Sequence, residues 1–401
     1  MHPEIAGFDL RHLSPAFLDD PFPTYHLLRR ESPVHRCPDG SYFLTRYADV
    51  AAVYRDRRMS SDKKVEFKPK YGDSPLYTHH TTSLVFNDPP LHTRVRRLLA
   101  AAFTPRALAA LQPRVERIVK ILLDEAEPKG GMDLIQDFAF ALPVEVIGDM
   151  LGVPRSHRPP LRGYSLAILG ALEPAPTEEQ LDRGNAAVTE FSAYLDDLIA
   201  ERTRRPSDDD ADILSRLIEG EVDGERLTHG ELVQNCIFLL NAGHETTTNL
   251  IGNGIAALLR FPGEMARLRS QPALIRTAVE EFLRYESSNQ LGNRRVAEDA
   301  EVGGVPMPAG TLITLCIGAA NRDPAEFTDP DRLDIAREPN RHLAFAGGPH
   351  ICLGNSLARM EASVAIARLL ERFPRLAGTG RFERGGRARF RGYKSFEITW
   401  A

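Results

Sequence analysis

Apolar residues recur at helical spacing along much of this chain. The pattern predicts helices over residues 24–31, 48–57, 105–127, 134–150, 186–204, 273–285 and 355–372. Period-two stretches are fewer and shorter. Residues 41–45 read as a strand after Asp39-Gly40. Residues 300–315 read as strands with turns at Gly303-Gly304 and Pro308-Ala309-Gly310, and residues 390–400 as a terminal strand pair. Residues 63–86 have no clear period and read as a long loop, whose His79-His80 pair faces solvent. Residues 159–181 are less regular around Pro174 and Pro176, and residues 205–210 form a polar linker.

One helix stands apart. Thr228 and Glu231 have capping-box spacing, and the pattern then runs unbroken to Arg260, before Phe261-Pro262-Gly263. About 32 residues span roughly 48 Å, enough to cross the whole molecule, so the helix must be largely buried. Its middle, Ala242-Gly243-His244-Glu245-Thr246-Thr247, breaks the rules of a buried helix. Glycine there costs about 1 kcal/mol against alanine, and a buried carboxylate costs more unless it is partnered. Such violations gather at functional sites. Leu239, Ala242, Gly243, Thr246 and Leu250 fall on one face, and the Thr246 hydroxyl is placed to bond the Ala242 carbonyl. Gly252 to Ala257 matches a dinucleotide fingerprint, but inside a helix rather than after a strand, so that reading fails.

Composition narrows the class. Charged residues are 26% of the 401, the net charge is −5, and basic residues are dispersed, so nothing points to nucleic acid. No run approaches the length of a membrane span, and residues 1–15 have neither a basic nor an apolar signal region. The four cysteines, Cys37, Cys236, Cys316 and Cys352, form no C-x-x-C pair and no disulfide framework, which predicts a reducing, cytoplasmic location.

Cys352 has the only chemical context. It ends the loop Phe345-Ala346-Gly347-Gly348-Pro349-His350-Ile351-Cys352-Leu353-Gly354, directly before a helix. Gly348 and Pro349 suit a tight turn, and a helix start favours an anion such as a thiolate. Elsewhere, Asp88-Pro89-Pro90 opens a helix on which His92 and Arg96 share one face and could together hold a carboxylate.

The Phe-x-x-Gly-x-His-x-Cys-x-Gly pattern, with Leu357, Ala358 and Arg359 behind it, resembles the haem-binding loop of the cytochrome P450 family. The resemblance runs from Asp20 onward. It implies a mainly α fold with a smaller β region, one domain over residues 1–401, with haem between the long distal helix and the helix after the cysteine. It implies haem b (iron protoporphyrin IX), with Cys352 on iron and Phe345, Gly348, Gly354, Ala242 and Gly243 shaping the cofactor site. His92, Arg96, Arg295 and His350 would anchor the propionates, with the neighbouring Arg294 as the alternative to Arg295. Glu245 and Thr246 match the oxygen-activating acid and alcohol. Glu281, Arg284 and Arg332 match a structural ion network. Ser287 to Gln290 would face substrate, as would the tip at residues 392–395.

The reaction implied is insertion of one oxygen atom from O2 into a largely apolar small organic substrate by a soluble monomer. Electrons would come from a separate ferredoxin and its NAD(P)H-dependent reductase, docking near Arg94, Arg97 and Arg359. An enzyme of the same scaffold that uses peroxide or rearranges its substrate, and a non-catalytic haem sensor, are the alternatives.

Overall fold

The computed structural model describes residues 2–100, 103–206, 212–222 and 224–400. Ten short strands pair in three groups. They are β1 (Val34–Arg36), β2 (Tyr42–Leu44), β3 (Met59–Ser60), β4 (Gly131–Asp133), β5 (Leu291–Val296), β6 (Ala300–Val302), β7 (Val305–Met307), β8 (Leu312–Cys316), β9 (Ala377–Arg384) and β10 (Tyr393–Thr399). The largest sheet has the order β1-β2-β8-β5-β3, with β2 and β8 parallel and the other neighbours antiparallel. A second sheet runs β4-β10-β9, and β6 pairs β7 across the Gly303-Gly304 turn. Helices make up most of the rest, giving the mainly α architecture that the sequence led us to expect.

The central element is the helix His229–Arg260. Its capping box forms as the spacing requires: the Thr228 hydroxyl accepts from Glu231 N, and the Glu231 carboxylate accepts from Thr228 N. The helix is buried along nearly its whole length. Gly252 and Gly254, the false dinucleotide match, are close-packing positions. A Cβ on Gly252 would lie 2.6 Å from Ile135, and one on Gly254 would lie 2.9 Å from Phe282.

Several expectations need correction. Residues 63–86 are not a loop but two short helices, Lys64–Tyr71 and Pro75–Thr82, and a 3₁₀ turn, Leu84–Phe86. Their polarity hid them, because these helices bury polar rings as well as apolar ones. His79 and His80 are each only 2% exposed, so they do not face solvent. Residues 134–150 divide into a π-helical stretch, Leu134–Ala139, and the α-helix Ala141–Met150. The helix predicted from 186 starts at Glu178, behind a Thr177–Gln180 capping box. Residues 390–400 are not a strand pair: β10 pairs with β4 and β9 instead. Positions 207–210 of the polar linker lie outside the described residues.

The ion network also has a different third member. Arg284 and Glu281, both fully buried, make a bidentate pair at 2.8 and 2.7 Å. The second guanidinium on Glu281 is Arg337, with Nε at 3.2 Å, and Asn340 adds a bond at 3.1 Å. Arg332 is exposed and contributes only its carbonyl, which accepts from Arg284 and Arg337. Breaking a buried pair strands the other charge. Glu281→Gln should therefore cost about 3–5 kcal/mol of stability, whereas Arg332→Ala should cost less than about 0.5 kcal/mol. Denaturant midpoints of the two variants check this.

Candidate functional site

The cysteine loop is held by backbone constraints. Gly348 has φ +64°, and a Cβ there would lie 2.1 Å from the Tyr54 carbonyl, so only glycine fits. Ala346 also takes a left-handed conformation, φ 58°, which is uncommon for a side chain that cannot bond its own backbone. Cys352 N donates to Phe345 O at 3.0 Å and closes the loop. The Asn355 amide donates to Cys352 O at 2.6 Å. Burial pushes the Cys352 thiol up, opposed by the Gly354 N–H and by Arg96 and Arg359. The other three cysteines are buried away from this site, with thiols pushed up to about 11 for Cys37 and about 12 for Cys236 and Cys316. Cys352 alone among the four faces the central cavity.

That cavity, about 330 Å³, lies between the cysteine loop and the long helix. Leu239, Ala242, Gly243, Thr246 and Leu250 all line it, as their shared helical face predicts. Thr246 Oγ1 donates to Ala242 O at 2.7 Å. Gly243 lets the neighbouring helix approach, since a Cβ would lie 2.8 Å from Ile147. Phe345 and Gly354 line the cavity as well. Gly348 does not; it packs on Tyr54 and shapes the loop from behind.

Glu245 points elsewhere. It is buried but does not line the cavity, and its carboxylate meets Arg387, which also holds Glu173 at 3.1 Å. Burial pushes the Glu245 carboxyl up, and Arg387 opposes that shift. Its second oxygen has no partner. Next to it, His244 packs on the Phe140 ring at 4.1 Å, and burial pushes it down to about 3, so it is neutral.

One end of the cavity is cationic. The His92 ring lies on His350 at 3.9 Å, and neither His92 nitrogen has a partner. Arg96 donates to Ile351 O at 2.7 Å. Arg294 lines the same end, over the Tyr54 ring at 5.1 Å. Arg295 does not line the cavity: successive side chains on β5 point to opposite faces, and Arg294 takes the inward one. Burial, then Arg294, His92 and Arg96, push His350 down to about 3. Among the described residues no carboxylate bonds either guanidinium. The buried Arg294, the half-buried Arg96 and the orphaned ring nitrogens in this arrangement fit an anionic group, and the propionates of a haem supply two carboxylates. With a thiol facing the cavity and a wall of small residues opposite, the donor set fits haem.

Other placements differ from the sequence reading. Arg94 pairs with Glu231, Arg97 with Glu225 at 2.8 Å, and Arg359 with Glu280 at 2.6 Å, so the three are not a free basic patch. Ser288 and Asn289 line the cavity, whereas Ser287 and Gln290 bond one another away from it, with Gln290 Nε2 donating to Ser287 O at 2.6 Å. The cavity is met by Arg389 and Phe390, not by the tip at residues 392–395. His79, His80, Asn241 and Glu361 line it too, and sequence reasoning missed all four as site residues. Burial pushes the Glu361 carboxyl up to about 8. For Asn241 and Glu361 the only signal was polarity within a helical pattern; for His79 and His80, in a stretch without a clear period, there was none.

A sequence-family model for cytochrome P450 matches residues 171–271 and 271–377. The biotin biosynthesis cytochrome P450 of Bacillus subtilis is 40% identical over 367 residues, covering 90% of this chain and 91% of its own. The vitamin D(3) 25-hydroxylase of Pseudonocardia autotrophica is 41% identical over 368 residues, covering 91% and 89%. Among solved structures, P450BioI in complex with hexadec-9Z-enoic acid ligated acyl carrier protein superposes with a TM-score of 0.92 at 37% identity, covering 96% of this chain and 99% of that one. Likeness over nearly the full length, with the cysteine loop and long helix set across one cavity, makes this chain a member of the cytochrome P450 family.

Proposed function

We propose that this family member, a P450 monooxygenase, carries haem b on Cys352 and inserts one oxygen atom from O2 into a largely apolar small organic molecule. The carrying observation is Cys352, the one cysteine on the central cavity, facing a wall of small residues across it. When bound, haem supplies oxygen activation, and an axial thiolate favours O–O cleavage, as is general for this family. His92, Arg96, Arg294 and His350 would hold its propionates, with Arg294 replacing Arg295 in that role. Ala242 and Gly243 leave room on the opposite wall.

The chain's own residues would manage protons and substrate. Thr246 keeps its hydroxyl at the cavity wall and can hold a water there. Glu245 is one residue away, buried, with one free oxygen, so it is suited to pass a proton if its bond to Arg387 loosens. Val85, Phe86, Leu169, Leu172 and Phe238 give the cavity an apolar wall, which supports an apolar substrate. Of the proteins named above, one is a hydroxylase of vitamin D(3) and another is solved with hexadec-9Z-enoic acid ligated acyl carrier protein. No helix among the described residues is long and apolar enough to cross a membrane. The chain would work as a single-domain monomer in the cytoplasm, supplied with electrons by a ferredoxin and its NAD(P)H-dependent reductase.

Cys352→Ala should abolish the thiolate-type absorbance of the carbon-monoxide complex; a retained spectrum would mean that another cysteine serves. Arg294→Leu should lower haem retention several-fold while Arg295→Leu should not, measured as haem per protein after gel filtration. In the reconstituted system, Thr246→Ala should lower product formed per NAD(P)H about 10-fold with hydrogen peroxide released, and Thr246→Ser should preserve most of that ratio. If Thr246 served only the helix bend, both ratios would equal the parent's and the variants would differ in stability alone.

A further inference from the structure

We propose that the cavity is built for an amphiphilic organic acid whose carboxylate is held by Arg389, an assignment that rests on the monooxygenase reading and adds its substrate class. The charged groups on the cavity wall, among the described residues, are Arg96, Arg294, Arg389 and Glu361. The first two stand with His92 and His350 at the end that fits the cofactor. Glu361, pushed up to about 8 by burial, is mostly neutral at pH 7. His79 is pushed down to about 4 and His80 well below its usual range, both by burial, so these are neutral too. Arg389 is therefore the one charge left over.

Its surroundings give that guanidinium no acid to pair with among the described residues. Arg387, Arg389 and Arg391 alternate along one segment, and the outer two have acids: Arg387 has Glu245 and Glu173, and Arg391 has Glu286 at 2.5 Å. Arg389 has only neutral acceptors, Leu291 O at 2.8 Å and Asn293 Oδ1 at 2.6 Å, and its Nε has no partner. Glu173 accepts only from its backbone N–H, at 3.3 Å. Glu66 is engaged by Lys63, and Lys70 adds further positive charge nearby. Burial pushes the Arg389 guanidinium down, opposed by the charges of Glu173 and Glu66, neither of which bonds the guanidinium. A buried cation without a counter-charge is costly, and a ligand carboxylate would offset that cost.

The side chain is also preorganised. Its segment pairs with residues 288–291: Gln290 N donates to Arg389 O at 2.8 Å, and Arg391 N donates to Ser288 O at 2.8 Å. The two acceptors then fix the guanidinium against the cavity. Ser288 Oγ, buried and without a partner, lies on the same wall as a second donor. An apolar part of the lining is supplied by Phe86, Leu169, Leu172 and Phe238. One charged end and an apolar body describe an amphiphilic acid.

Purified haem-loaded protein is titrated with acid and methyl-ester pairs of three shapes: dodecanoic, 4-phenylbutyric and cholic. Binding is read by calorimetry and by the haem absorbance shift. The carbon-monoxide spectrum is recorded first. Without a thiolate band the monooxygenase reading fails; with the band and no acid preference, only this proposal fails. We expect at least one acid to bind about 10- to 100-fold tighter than its ester. Arg389→Gln should remove that preference while leaving ester binding within about 2-fold, and Arg389→Lys should restore part of it. Equal binding of acid and ester in every pair, or no binding of any, overturns the proposal. So does loss of haem from Arg389→Gln with no acid preference in the parent, which would assign Arg389 to the cofactor's carboxylates.

Discussion

A helix buried for nearly all of its length must satisfy or hide every polar group it carries, and the rest of the molecule is arranged around that constraint. The backbone of His229–Arg260 satisfies itself, but its side chains do not. Asn235 is bonded to Leu84 N and to the Glu231 carbonyl, Asn253 to the carbonyls of Glu286 and Arg391, and Thr248 to His244 O. Each of these bonds either closes a turn of the helix or pins a distant segment to it. Of the helix's unbonded polar atoms, Asn241 Oδ1 lies beside the cavity, where a ligand or water can meet it, whereas those of His244, Glu245, Asn249 and Asn253 lie off it.

Charge follows the same logic. The buried and half-buried arginines include some with acids and some without. Arg284 has Glu281, Arg158 has Glu145 and Asp149, and Arg391 has Glu286; these pairs lock helices and loops together. Arg96, Arg294 and Arg389 have none among the described residues, and all three line the cavity. At the cavity these three guanidiniums stand without a paired acid at two places.

Glu245 shows how a helix couples two regions. It sits next to Thr246 in sequence, yet a turn of about 100° per residue sends the two side chains to different surroundings. Thr246 meets the cavity, while Glu245 meets Arg387 and, through it, Glu173 in the segment after the helix Pro159–Gly170. Glu245 is thereby tied, through Arg387, to a segment whose Leu172 lines the cavity.

Local regularity was legible in the sequence, because it depends on near neighbours. The capping box at Thr228, the length of the long helix, its inward face and the turn at Gly348 are all short-range consequences of residue type and spacing. The cysteine loop was legible for the same reason: its glycines, proline and cysteine must be contiguous to work. What the sequence could not decide was partnership. Arg332 and Arg337 are both near in sequence to the acid network's loop, and only packing chose Arg337. Arg294 and Arg295 are neighbours on a strand whose register alone determines which one faces inward. His79 and His80 looked like surface residues because their polarity suggests water; tertiary packing buried both. Arg387, Arg389 and Arg391 look alike in the sequence, and only the folded chain brings acids to the first and last and leaves the middle one open. Spacing determines which way a side chain points within its element, but its partner arrives from a segment remote along the chain, so the tertiary structure decides it.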